Sequence, residues 1–224
     1  MKYLSWNEKT IDSDSSEKEI SSLYNDGYLF TRLGKGEMQQ TRSVRIDLNK
    51  FNLSSENRRI IKKNEGMKLT VAEIPFKDYD YSIGKLAKDF YDTRFETGIM
   101  SAQKVKEMLT DLSASNFNSL LIYFINDSSA DNSPLGYSIT YSNKDINHYC
   151  YPFYDLNKSS KDIGLGMMTL AVEYAKNSGK KYIYLGSLQR PSDIYKLQFE
   201  GLEWFDGKKW QTDIEEVKEI LKNK

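Results

Sequence analysis

Between Asn147 and Ser187 the spacing of apolar positions changes period twice. HYCYPFYD and, at the far end, KKYIYLGS cluster aromatic and aliphatic residues over the length of a strand. Between them Met167, Leu170, Ala171, Tyr174 and Ala175 recur at i, i+3, i+4, i+7 and i+8, which is one face of a helix. Gly179 stands where a helix C-cap calls for positive φ. The stretch therefore predicts strand, glycine-bearing turn, helix, strand. The turn itself, Lys161-Asp162-Ile163-Gly164-Leu165-Gly166, supports two readings. A helix start presents backbone N–H groups and a positive dipole end to a phosphate. Glycines there equally serve a tight turn and close helix–sheet packing.

The same test divides the rest of the chain. Residues 1–26 carry SDSSEKEISS between short apolar pieces and read as a polar arm, with a short helix over Glu17–Tyr24. GYLF is a candidate strand. In TRSVRIDL the positions Val44, Ile46 and Leu48 alternate with Arg45 and Asp47, which predicts a half-buried strand. From Leu53 to Gly66 serine caps, an early glutamate and a terminal Asn and Gly bracket a helix. On it Arg58, Arg59, Lys62 and Lys63 fall within an arc of about 140°, opposite Ile60 and Ile61. That face is either solvated or set against phosphate. MKLTVAEIPF reads as a strand stopped by Pro75, Tyr81–Phe95 and Ser101–Leu112 as helices, and NSLLIYFIN as a strand buried on both sides. PLGYSITY alternates as a strand, and short turns between neighbouring strands favour antiparallel pairing. Asp206-Gly207 marks a hairpin, and Thr212–Leu221 a final helix.

Composition narrows the class. With 224 residues, 39% hydrophobic and 13% aromatic, the chain is globular and large enough for a substantial core. Lys+Arg and Asp+Glu are 32 each, so any polyanion site is a local patch rather than a whole-molecule field. Cys150 is the one cysteine, which excludes an internal disulfide and a multi-cysteine metal site. No apolar run suits a signal peptide or a bilayer span, so no membrane partner and a cytoplasmic location are expected.

Two stretches together resemble one family. RSVRIDLNKFNLSSENRRIIKKNEG is similar to the signature of the arginyl-tRNA–protein transferases and their bacterial leucyl-transferring relatives, with Arg45, Phe51, Ser54, Arg58, Arg59, Lys62, Lys63 and Asn64 on matching positions. In the second half PLGYSITY, Phe153-Tyr154-Asp155, Tyr184-Leu185-Gly186, Tyr195-Lys196 and EWFDGKKW resemble that family's carboxyl half. The resemblance covers about residues 40–210 with gaps. Where the family has a cysteine-rich segment before the first strand, this chain has Gln39-Gln40-Thr41. Ser187 also departs from the residue that follows Tyr-Leu-Gly there.

The resemblance implies a GNAT-like fold: an α/β domain over 37–224, with a mixed, mainly antiparallel twisted sheet flanked by helices, after a short extension over 1–36. It implies transfer of an amino acid, arginine or leucine, from aminoacyl-tRNA to the α-amine of an acceptor protein's N-terminus, marking that protein for degradation, with no cofactor and no metal. Arg58, Arg59, Lys62, Lys63, Lys161, Gly164 and Gly166 are then the donor-binding set, and Arg190 and Lys196 suit phosphate or an acceptor carboxylate. Asp155 is placed to orient or deprotonate a cationic acceptor, and Tyr184 to donate to the leaving 3′-oxygen. Each also has a plain structural reading, as turn aspartate and buried strand tyrosine. His148 and Cys150 read as structural. Two alternatives stay open: an acyl-CoA N-acyltransferase, favoured by the glycine turn, and a binding module without catalysis on the same fold. The oligomeric state is not legible.

Overall fold

The computed structural model describes residues 3–125, 133–158 and 162–223. In chain order it contains β1 (Asn7–Thr10), α1 (Glu17–Asn25), β2 (Tyr28–Phe30), β3 (Glu37–Gln40), β4 (Ser43–Asp47), α2 (Ser55–Lys63), β5 (Met67–Glu73), α3 (Tyr81–Arg94) and α4 (Ala102–Thr110). Then follow β6 (Ser119–Ile125), β7 (Gly136–Ser142), β8 (Ile146–Tyr154), α5 (Ile163–Asn177), β9 (Tyr182–Ser187), a 3₁₀ helix (Pro191–Gln198), β10 (Leu202–Phe205), β11 (Trp210–Gln211) and α6 (Ile214–Lys222). The helices begin where the sequence offers a cap. Ser16 and Glu19 form a reciprocal capping box on α1, and Asp80, Ser101 and Asp213 cap α3, α4 and α6. At α2, Ser54 Oγ accepts from the Asn57 N–H while Asn57 Oδ1 accepts from the Ser54 N–H.

The chain forms two compact units, each made of several segments. The first comprises residues 1–58, 143–148 and 172–224. Its strands lie side by side in the order β11, β10, β4, β9, all antiparallel, while Ile146–His148 of β8 run parallel to Tyr182–Tyr184 of β9. A second, three-stranded sheet, β1-β3-β2, is antiparallel throughout. Val44, Ile46, Ile183, Trp204, Val217 and Leu221 are at most 1% exposed and form this unit's core. The second unit comprises 59–142 and 149–171. In it β5, β6 and β7 form an antiparallel meander, paired from Met67↔Ile125 to Glu73↔Ser119 and onward from β6 to β7. Leu120, Leu121, Ile139, Val105 and Leu109 are fully buried there.

This is the mixed, mainly antiparallel α/β arrangement that the sequence implies, with β8, α5 and β9 following one another as strand, helix and parallel strand. Residues 1–36, expected as an extension, carry β1, α1 and β2, and Tyr24 at the end of α1 is fully buried. Strand β4 also departs from its expected half-burial: Ser43 through Ile46 are all buried, Arg45 included. Among the described residues no helix is long and apolar enough to cross a membrane.

Candidate functional site

The basic helix α2 has the faces its spacing predicts. Asn57, Ile60 and Asn64 are buried, at i, i+3 and i+7, whereas Arg58, Arg59, Lys62 and Lys63 are exposed. Arg58 Nη1 donates to the Leu53 carbonyl. In the second unit Lys63 Nζ lies 2.6 Å from Asp162 Oδ2, and Arg59 Nη2 lies 3.8 Å from the same oxygen. Asp162 itself holds φ at +77°, a left-handed conformation that aspartate tolerates better than most residues. The first residues of α5 are thus tied to the end of α2 by exposed ion pairs, each worth at most about 1 kcal/mol.

The glycines after Asp162 have packing partners. A Cβ on Gly166 would stand 2.8 Å from the Asn64 amide, and one on Gly164 3.2 Å from the Tyr154 ring. Asn64 is held in turn by its Nδ2 donating to the Ile60 carbonyl. Close approach of side chains accounts for both positions. Lys161 lies outside the described residues. Asp155 closes an Asx turn, its Oδ1 accepting from the Asn157 N–H at 2.8 Å while its own N–H donates to Leu135 O.

In the first unit the sequence signature centres on Arg45. Its Nε meets Glu203 Oε2 at 2.8 Å, and its Nη1 donates to Asn25 Oδ1 at 2.8 Å and to the Tyr184 hydroxyl at 3.3 Å. The guanidinium lies 3.9 Å from the ring centroids of both Tyr182 and Trp210, a doubly stacked cation. Tyr184 is fully buried, and that burial pushes its pKa up to about 12 even though Arg45 pulls it the other way. Its phenol therefore stays protonated and serves Arg45 as an acceptor.

One strand over, His148 is 3% exposed and its Nδ1 lies 2.9 Å from the Tyr24 hydroxyl. Burial first, and the nearby Lys196 charge second, lower its pKa to about 3, so the imidazole is neutral at physiological pH. Lys196 donates from Nζ to the Ser187 carbonyl at 2.8 Å and stands 3.7 Å from Asp193 Oδ1. Gly186, at φ +80°, supplies the bulge where β9 slips against β4 between the Ser43 and Arg45 pairings. Lys196 Nζ is the nearest atom to the vacant Cβ position of Gly186, at 3.9 Å. Arg190 is nearby in sequence but turned elsewhere, its Nη2 donating to the Tyr3 hydroxyl at 2.7 Å. Of the expected residues, Lys196 and Tyr184 thus fall in one unit with His148 and Tyr24, while Asp155, Gly164 and Gly166 fall in the other.

One residue escaped the sequence reading altogether. Arg42, between Thr41 and the start of β4, is 9% exposed, and its Nε and Nη1 are enclosed with no hydrogen-bond partner among the described residues. Burial lowers its pKa. Each unpaired buried donor costs about 1–3 kcal/mol. An arginine beside an alternating apolar strand was the only signal the sequence carried.

No family model matches the chain. It is 26% identical over 218 residues to the aspartate/glutamate leucyltransferase of Saccharophagus degradans, a likeness spanning 92% of this chain and 89% of that protein. It is 24% identical over 174 residues to the protein of the same name from Hyphomonas neptunium, covering 76% of this chain and 67% of the relative. Among solved structures, a tandem GNAT protein from the clavulanic acid biosynthesis pathway aligns at a TM-score of 0.43 and 9% identity, over 88% of this chain and 60% of that one. The resemblance carried by the arginine-rich signature and the carboxyl half therefore holds along most of the chain, which is similar to proteins named aspartate/glutamate leucyltransferase.

Proposed function

We propose that this chain transfers an amino acid, leucine, from its aminoacyl-tRNA ester to the N-terminal α-amine of a protein that begins with aspartate or glutamate. The observation that carries the reading is the likeness to a relative so named over nine-tenths of the chain. Those names support leucine over arginine as the transferred residue. The same relatives support an aminoacyl transferase over a binding module and over an acyl-CoA acyltransferase.

The chemistry asks little covalent work of the protein. The acceptor nitrogen attacks the ester carbonyl, a C–N bond forms, the bond to the 3′-oxygen of the terminal ribose breaks, the nitrogen loses a proton and the departing oxygen gains one. The ester is already activated, so positioning and charge stabilisation carry the catalysis. An α-amine of ordinary pKa near 8 is about one-tenth deprotonated at pH 7, so a weak base or water suffices. In this reading the exposed Arg58, Arg59, Lys62 and Lys63, with Lys161 and the turn of Gly164 and Gly166, meet tRNA phosphates. Arg190 and Lys196 serve the acceptor side. Asp155 orients the amine, while Tyr184, fully buried and bonded to Arg45, keeps its structural reading.

The test is a transfer assay with purified protein, radiolabelled leucyl-, arginyl- and mixed aminoacyl-tRNAs, and reporters with different first residues. Leucine is expected on reporters beginning with Asp or Glu. An Arg58→Ala/Arg59→Ala variant should be weaker, its salt dependence shallower by about one unit of log–log slope for each phosphate that no longer meets a cation. Label from no donor on any reporter would refute the reading.

A further inference from the structure

We propose that Arg42 is the residue that recognises the acceptor's acidic first side chain, by taking its carboxylate onto the enclosed guanidinium. This deepens the reading above and rests on it.

Arg42 is fixed at its backbone. Its carbonyl accepts from the Leu188 N–H at 2.8 Å, two residues past the bulge at Gly186. The polar groups bonded around that junction are engaged with one another. Thr41 Oγ1 donates to Leu4 O, and Ser43 Oγ to Gly27 O. Gln189 holds Leu4 through both ends of its amide and also reaches Thr41 and Ser187. Asp193, the carboxylate beside this segment, accepts from the Gln189 and Arg190 N–H groups. None of them bonds the Arg42 guanidinium, whose Nε and Nη1 lack any partner among the described residues. A buried cation left this way is open to completion by water or by an anion that arrives from outside.

The chemistry of the visitor follows from the donor fork. A guanidinium presents donors in a planar fork that fits two oxygens on one carbon. A phosphodiester carries a sugar on each side of its phosphorus, which crowds its approach to a side chain nine-tenths buried. An aspartate or glutamate side chain ends in a bare carboxylate on one or two methylenes and approaches with less bulk. An asparagine or glutamine in the same place would turn an amide N–H₂ toward donors, or offer one neutral oxygen, and be rejected. Such discrimination, between a paired and an unpaired buried charge, is of the order of 10²- to 10³-fold.

The experiment compares wild type, Arg42→Met and Arg42→Lys. Transfer is measured as kcat/KM on reporters beginning Asp, Glu, Asn and Gln, and binding of the free dipeptides Glu-Ala and Gln-Ala is measured by calorimetry. Arg42→Met is expected to lose about 10²- to 10³-fold on the acidic reporters alone, with Arg42→Lys between, and to bind Glu-Ala no better than Gln-Ala. Thermal unfolding and leucyl-tRNA affinity unchanged from wild type show that the variant is folded and its donor site intact. If Arg42→Met keeps the acidic preference, the proposal is overturned. It is also overturned if the variant loses tRNA affinity while its reporter preference stands, which marks a phosphate-binding role. If wild type transfers nothing yet binds Glu-Ala over Gln-Ala through Arg42, the acidic-side-chain site stands and the transferase reading falls. If it transfers nothing and binds both dipeptides alike, both fall.

Discussion

Arg45 and Arg42 stand three positions apart and are both withdrawn from water, yet they are housed in opposite ways. Around Arg45 the chain has assembled a carboxylate, a side-chain amide, a phenol and two ring faces drawn from residues as far off as Glu203 and Trp210. Arg42 has been given none of these. A charge met by partners on several sides is an architectural element: it ties together β4, β9 and β10. A charge left unsatisfied is a local cost that the fold tolerates, and tolerated costs concentrate where a ligand relieves them.

The contrast is breakable, and the largest effect is expected at Arg45. Arg45→Ala or Glu203→Ala strands one member of a buried pair and should cost about 3–5 kcal/mol, or roughly 6–20 °C in a chain of this size, read by thermal unfolding. Changing both together, Arg45→Met with Glu203→Leu, should recover most of that loss. Single changes that cost less than about 1 kcal/mol would show the network to be ornamental.

His148 sharpens the comparison from another side, because it meets burial by remaining neutral. Its folded pKa of about 3 lies below the unfolded value near 6.5. Between those limits the unfolded chain binds a proton that the native state does not. Stability should therefore fall as pH drops from about 6.5 toward 3, by up to about 1.4 kcal/mol per pH unit. Denaturant titrations of wild type and His148→Asn across that window should show the variant's slope reduced; equal slopes would mean that His148 is protonated in place, beside Lys196.

The smallest effect is expected at Arg42. Arg42→Met should leave the melting temperature unchanged or raise it by a few degrees, since an unpaired buried charge gives way to an apolar stem of similar reach. A drop matching that of Arg45→Ala would place Arg42 among the structural residues and collapse the distinction.

The architecture was largely written in local pattern. The Asp206-Gly207 hairpin, the alternation of PLGYSITY and the capped helix from Leu53 to Gly66 all declare themselves within a dozen residues, and the structure has each of them. What escaped depends on partners remote in sequence. Strand β1 is NEKT, exposed at every position, and is held by pairing with β3 some thirty residues on, so neither strand shows a hydrophobic period. Arg45 reads as the polar side of a half-buried strand because nothing nearby announces that Glu203, 158 positions away, will cover it. The difference between Arg45 and Arg42 is invisible to any local rule, being a matter of which distant groups arrive. The basic face of α2, by contrast, follows from spacing alone and is exposed as that spacing requires.

The junction before β4 carries one last consequence. Where the related signature is preceded by cysteines, this chain closes with Gln40, Thr41 and Gln189. Gln40 accepts from Asn7 Nδ2 at 2.6 Å and donates to Asp26 O at 2.7 Å, while Gln189 Nε2 reaches Thr41 Oγ1 at 2.7 Å. Amides and hydroxyls neither exchange electrons nor surrender a metal, so this clasp keeps the amino-terminal strands in register whatever the thiol–disulfide poise around the molecule, and no chelator can unpick it.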